Sequence, residues 1–114
     1  MLTIDSLRRF GANTQEGLGR CMNNEAFYLR LVNMALDDAN FNKLAAALES
    51  GDKEAGFEAA HALKGVLGNL SLTPLYDPCS EITEQLRAKA DADYSALLDR
   101  ILKLRDSLIA ERNS

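Results

Sequence analysis

A single histidine, His61, is present among the 114 residues. It lies in the stretch Ala60-His61-Ala62-Leu63-Lys64-Gly65-Val66-Leu67-Gly68-Asn69-Leu70. A neutral imidazole has one ring nitrogen with a free lone pair, able to attack phosphorus or bind a metal ion. On a helix advancing about 100° per residue, Leu63, Leu67 and Leu70 fall about 180–240° from His61, and Val66 and Ala59 about 140–160° from it. The core face is therefore opposite the imidazole. Within about 60° of the ring lie Glu54, Phe57, Glu58, Lys64, Gly65 and Gly68. One wet surface thus gathers a nucleophile, a cation and two positions without side chains.

Metal binding would need further ligands. Cys21 and Cys79 form no CxxC or Cys/His pattern, and only Glu54 and Glu58 share the histidine face, so neither a metal site nor a cofactor is expected. Cys79, at helical spacing with Tyr76, Ile82 and Leu86, reads as a buried thiol acting as a small hydrophobe. Hydrolytic catalysis of the Ser-His-Asp or Cys-His kind needs an oriented nucleophile and a sheltered pocket, which an exposed helix face lacks.

Phosphoryl acceptance fits better. Lys64, one turn beyond His61, can neutralise the oxygens of a phosphoryl group on the ring; the competing reading is an ordinary solvated lysine. Gly65 and Gly68 each cost about 0.8–1.0 kcal/mol relative to alanine within a helix, and their bareness would let another protein's backbone approach the ring. Close packing between helices is the competing explanation. It weighs more for Gly68, near the helix end, and is assumed for Gly56 on the core side. Phe57 is either an exposed docking aromatic or packed under the helix over residues 24–37, with equal weight to each.

The elements that position these residues are helices throughout, since strand alternation is absent and the 3.6 period recurs along the chain. Short helices over residues 3–10 and 14–21 would be capped by Thr3 and Thr14, although Gly11, Gly17 and Gly19 weaken both. Asn24 caps a helix to Asp37 with Phe27, Leu31 and Met34 on one stripe. Phe41, Leu44, Ala45 and Leu48 mark the next, and Ser50-Gly51-Asp52 supplies its stop and the following cap.

The His61 helix spans residues 53–70. Thr73-Pro74 reads as an N-cap followed by proline, opening a helix to Ala90 with Leu75, Cys79, Ile82 and Leu86 on its apolar stripe. Pro78 inside it predicts a local distortion, costing up to about 3 kcal/mol. Asp91 caps the last helix, whose spaced residues include Tyr94, Leu97, Leu98, Ile101, Leu104, Leu108 and Ile109. Short connections between long helices require antiparallel neighbours. The expected fold is an all-α, up-and-down antiparallel four-helix bundle with extra N-terminal helical segments.

Net charge is −4, with thirteen Lys and Arg set against seventeen acidic residues. No segment clusters the positive charge that a phosphate backbone requires, so nucleic acid is disfavoured. No apolar run approaches the roughly 20 residues needed to cross a bilayer, and Met1-Leu2-Thr3-Ile4-Asp5 lacks the features of a signal peptide. A single soluble domain, cytoplasmic and monomeric, is the expectation, with residues 1–23 as a variable extension and 24–110 as bundle and covering helix.

His61-Ala62-Leu63-Lys64-Gly65, preceded by Ala60 and followed by Gly68-Asn69-Leu70, resembles the signature of histidine-containing phosphotransfer (HPt) domains. The resemblance extends upstream through Phe41 to Asp52 and downstream through Leu72-Thr73-Pro74-Leu75, covering about residues 24–110. It implies a four-helix bundle whose histidine takes a phosphoryl group from an aspartyl phosphate of one receiver domain and passes it to another. By position His61 is the phosphoacceptor through Nε2, Lys64 its electrostatic partner, and Gly65 the gap for the receiver. Gly68 and Phe57 join the docking face. The implied partners are the receivers of a hybrid histidine kinase and of a response regulator, which bring their own acidic pocket and Mg²⁺.

A glutamine that several members place on the next helix, bonding the histidine region, corresponds here to Thr83, with Gln85 nearby. Thr83 is thus expected at the docking site. Two further readings stand beside the carrier: a helical adaptor that binds receivers or kinases unphosphorylated, and the phosphoacceptor module of a chemotaxis-type kinase.

Overall fold

Seven helices make up most of the chain in the computed structural model, which describes all 114 residues: α1 Ile4–Phe10, α2 Thr14–Arg20, α3 Glu25–Leu36, α4 Asn40–Ser50, α5 Lys53–Asn69, α6 Thr73–Arg87 and α7 Ser95–Arg112. Several boundaries follow from local polar chemistry. Thr3 Oγ1 accepts from the Ser6 amide at 3.0 Å while Ser6 Oγ accepts from the Thr3 amide at 2.8 Å, which closes a reciprocal cap on α1. Asn24 Oδ1 accepts from the Phe27 amide at 3.1 Å, and Asp52 Oδ1 from the Ala55 amide at 3.0 Å. Gly51, at φ 76°, takes the left-handed conformation that ends α4.

Other caps depart from expectation by a residue or two. Asn13, not Thr14, caps α2 through the Glu16 amide at 3.2 Å; Thr14 is itself buried. Thr73 is the first residue of α6 and Leu72 its N-cap, with no side-chain cap bond, and α6 runs unbroken through buried Pro78 before ending at Arg87. Asp91 does not cap α7. Asp93 Oδ1 instead accepts from the Ser95 hydroxyl at 2.6 Å and the Ser95 amide at 3.0 Å, so α7 begins at Ser95. These bonds, the hydroxyl's first, hold the Asp93 carboxyl below the usual carboxylate range.

Helices α4 to α7 form an up-and-down antiparallel bundle in which each packs on the next in chain order. Only Gly51 and Asp52 separate α4 from α5, and only residues 70–72 separate α5 from α6, which forces reversal at both turns. The Arg105 guanidinium of α7 lies 5.1 Å from the Phe41 ring of α4. Phe41, Leu44, Leu63, Leu67, Ile82 and Ile101 are fully buried between the helices. Burial of this kind stabilises at about 25 cal/mol per Å² of apolar surface.

The α3 stripe is a correction. Phe27 and Met34 are exposed, at 44% and 61%, whereas Tyr28, Val32, Ala35 and Leu36 face the core. Two apolar stripes share this helix, and the one carrying Tyr28 wins because its hydroxyl donates to the Leu70 carbonyl at 2.7 Å while the ring is buried. The N-terminal segment is also more than an appendage. Leu2, Leu7, Ala12 and Cys21 belong to the same hydrophobic core as the bundle. The Asn13 amide donates to the Ser71 carbonyl at 2.9 Å. Gly17 sits so close to Tyr28 that a Cβ would lie 2.6 Å from the ring.

Both cysteines are free and buried. Burial pushes the Cys79 thiol up to about 12, in keeping with its reading as a small hydrophobe. No helix is long and apolar enough to cross a membrane.

Candidate functional site

Helix α5 points His61 outward because Gly56, Ala59, Ala60, Leu63 and Leu67 are the residues it buries. The imidazole is solvent-exposed and stacks on Phe57 one turn earlier, with ring centroids 5.5 Å apart and planes inclined by 20°. Arg87, reaching across from α6, places its guanidinium 5.0 Å from the Phe57 centroid. Phe57 is therefore half-buried, held between the histidine and an arginine of α6.

Lys64 Nζ lies 3.8 Å from Glu84 Oε1, and Glu84 Oε2 lies 3.3 Å from Arg87 Nε. A chain of contacts thus runs from His61 through Phe57, Arg87 and Glu84 to Lys64. It sets the ring and the cation on the same wall of α5 and α6. A Cβ added at Gly65 would meet nothing within 4 Å. The approach to the imidazole from that side is open.

Beside the histidine is a cleft of 590 Å³ whose lining includes Glu16, Arg20, His61, Lys64, Gly65 and Gly68. Arg20 pairs there with Glu16 at 3.1 Å and Lys64 reaches Glu84 beyond the lining, while Asp77 adds a further carboxylate. No group of three or more His, Cys, Asp or Glu side chains converges anywhere in the molecule. An exposed imidazole, a cation one turn away and a bare backbone patch suit reversible transfer of a phosphoryl group between proteins.

The family model described as "Hpt domain" matches residues 31–113. The chain belongs to the Hpt domain family. No curated protein and no solved structure matches it. Hpt domains serve phosphorelay histidine phosphotransfer and act as carriers, not catalysts. The match begins inside α3, so α1, α2 and the α2–α3 turn lie outside it.

Within this Hpt domain, His61, Lys64 and Gly65 share one accessible surface, as their spacing predicts. Two other residues need correction. Thr83 is fully buried and its hydroxyl donates to the Cys79 carbonyl one turn back at 2.6 Å, so it presents nothing to a partner or to the histidine. Gly68 borders the cleft, but a Cβ there would lie 2.9 Å from the Tyr76 ring, and its carbonyl already accepts from Arg20 at 2.6 Å. Its bareness serves the packing of α6 against α5.

Four contributors escaped the sequence reading. Glu84 and Arg87 are an i, i+3 pair on α6, recognisable only once that helix's register against α5 is known. Glu16 and Arg20 form an i, i+4 pair on α2, a spacing visible in the sequence, though nothing local tells which surface α2 covers.

Proposed function

We propose that this Hpt domain is a phosphorelay intermediate in which His61 accepts a phosphoryl group from the aspartyl phosphate of one receiver domain and donates it to another. The observation that carries this reading is the open approach to His61 past Gly65, with Lys64 one turn away. In the forward step the Nε2 lone pair attacks phosphorus, a P–N bond forms, and the acyl phosphate P–O bond breaks. The aspartate leaves as a carboxylate, and the Nδ1 proton stays on the ring. Lys64 offsets charge on the phosphoryl oxygens as they arrive.

The domain contributes positioning and a nucleophile; the acidic pocket and Mg²⁺ belong to the receiver. It needs no cofactor of its own and has no kinase activity. The hybrid histidine kinase and response regulator that carry the receivers act in the cytoplasm, and the Hpt domain works there as a monomer. Stacking on Phe57 favours this role by limiting the orientations of the ring before the receiver arrives.

Incubation with a phosphorylated receiver should label the wild-type protein and leave His61→Gln blank. Equal labelling of the two would sink the assignment.

A further inference from the structure

Resting on that reading, we infer that helix α2, outside the family match, forms part of the receiver-docking face, with Arg20 as a docking determinant whose strength Glu16 restrains. The cleft beside His61 is lined by α5, by Ser71 of the following turn, by Thr73, Tyr76 and Asp77 of α6, and by Glu16 and Arg20 of α2. The docking surface is therefore continuous from the histidine onto an element that the shared part of the family does not supply.

The geometry assigns Arg20 to docking and not to chemistry. Its Nη1 donates to the Gly68 carbonyl at 2.6 Å, seven residues beyond His61. At 1.5 Å rise per residue this is roughly 10 Å along the axis. A guanidinium anchored there is too distant to neutralise a phosphoryl group on the ring, but it lies where the rim of an approaching protein would rest.

Arg20 and Glu16 each remain about half exposed, at 49% of the side chain. Glu16 Oε1 sits 3.1 Å from Arg20 Nη2 and also accepts from the Ser71 hydroxyl at 2.8 Å. The carboxylate thus partly cancels the cation that an acidic receiver surface would seek. Charges at an interface rim act mainly on encounter and on its salt dependence.

Removing each charge in turn should give effects of opposite sign. Arg20→Gln is expected to raise the half-saturating receiver concentration for phosphoryl transfer about threefold or more, and Glu16→Gln to lower it. Glutamine at position 16 still offers an oxygen to Ser71. The change belongs in half-saturation, not in the maximal rate, and narrows as salt is raised from about 50 to 500 mM.

A purely structural role predicts otherwise, because both substitutions loosen α2 and would weaken transfer together, in step with a fall in thermal stability. Shifts of the same sign, or none, overturn the inference. Calorimetric titration of the unphosphorylated receiver into the same variants, each also carrying His61→Gln, separates this result from a failure of the phosphotransfer reading. Affinities that move in opposite directions there support the docking face even if His61 accepts no phosphate.

Discussion

Lys64 Nζ stands 3.8 Å from Glu84 Oε1, so the cation one turn beyond the histidine is tethered to the neighbouring helix. The Lys64 side chain is only 27% exposed, against 56% for Glu84. Tethering keeps the ammonium between α5 and α6 and makes a carboxylate its resting partner. Under the proposed function, an incoming phosphoryl group would compete with Glu84 for that ammonium.

That competition has a measurable size. An ion pair at the protein surface is worth about 0–1 kcal/mol, and 1 kcal/mol corresponds to about fivefold in an equilibrium constant. Glu84→Gln should shift the equilibrium of label between receiver and Hpt domain toward His61 by up to about fivefold. Lys64→Ala should shift it the other way. An unchanged partition in both variants would show that the cation takes no part.

The two glycines beside the histidine should part company. At Gly65 a side chain meets open space, so Gly65→Ala should stabilise by up to about 1 kcal/mol in denaturant unfolding. Gly65→Gln should fold normally yet transfer about tenfold more slowly, because it obstructs the receiver. At Gly68 the new Cβ meets the Tyr76 ring at 2.9 Å, and overpacking of this kind costs about 1–3 kcal/mol. Gly68→Ala should therefore be the less stable of the two alanine variants. Normal transfer by Gly65→Gln would count against close approach at that spot.

Tyr28 couples the N-terminal helices to the turn after α5. Tyr28→Phe leaves the Leu70 carbonyl without its donor and should lower unfolding free energy by about 1–3 kcal/mol, with the denaturant slope unchanged. Stability equal to wild type would mean that water replaces the hydroxyl.

The same tyrosine predicts an alkaline limit. Burial first, then the neighbouring Cys21, raises its hydroxyl from 10 to about 12. The unfolded chain releases this proton at lower pH than the folded one, so the associated stability is complete below pH 10 and is lost as pH rises toward 12. Tyr28→Phe should show a smaller decline across that window. An identical alkaline decline in both proteins would remove Tyr28 as its source.

Thiol chemistry should be silent in the native state. Cys79 is wholly buried and its thiol is raised to about 12, so a thiol reagent at neutral pH should modify it only at the rate of unfolding. Rapid native-state labelling of Cys79 would contradict its packing.

Much of the fold was legible because the relevant signals are local. The period of Leu63 and Leu67 opposite His61, the Gly51-Asp52 stop and cap, and the Asn24 cap each depend on residues within a turn or two of one another. The α3 stripe was not legible. Its helix offers Phe27, Leu31 and Met34 on one side and Tyr28, Val32 and Leu36 on another, and only the position of the Leu70 carbonyl makes the second side the buried one.

The candidate site divides along the same line. Amino-acid order alone determined that one imidazole, with Lys64 and Gly65, would share the polar face of an amphipathic helix, because helical geometry relates residues three and four apart without help from the rest of the chain. Tertiary structure alone decided that Thr83 turns inward, that Gly68 makes room for Tyr76, that Glu84 and Arg87 complete the wall, and that α2 borders the cleft. The contacts that set α6 and α2 against the cleft join residues 8 to 55 positions apart, as Gly68 with Tyr76 and Glu16 with Ser71 illustrate. Their register is set by packing of the whole core, a property that no single turn of helix contains.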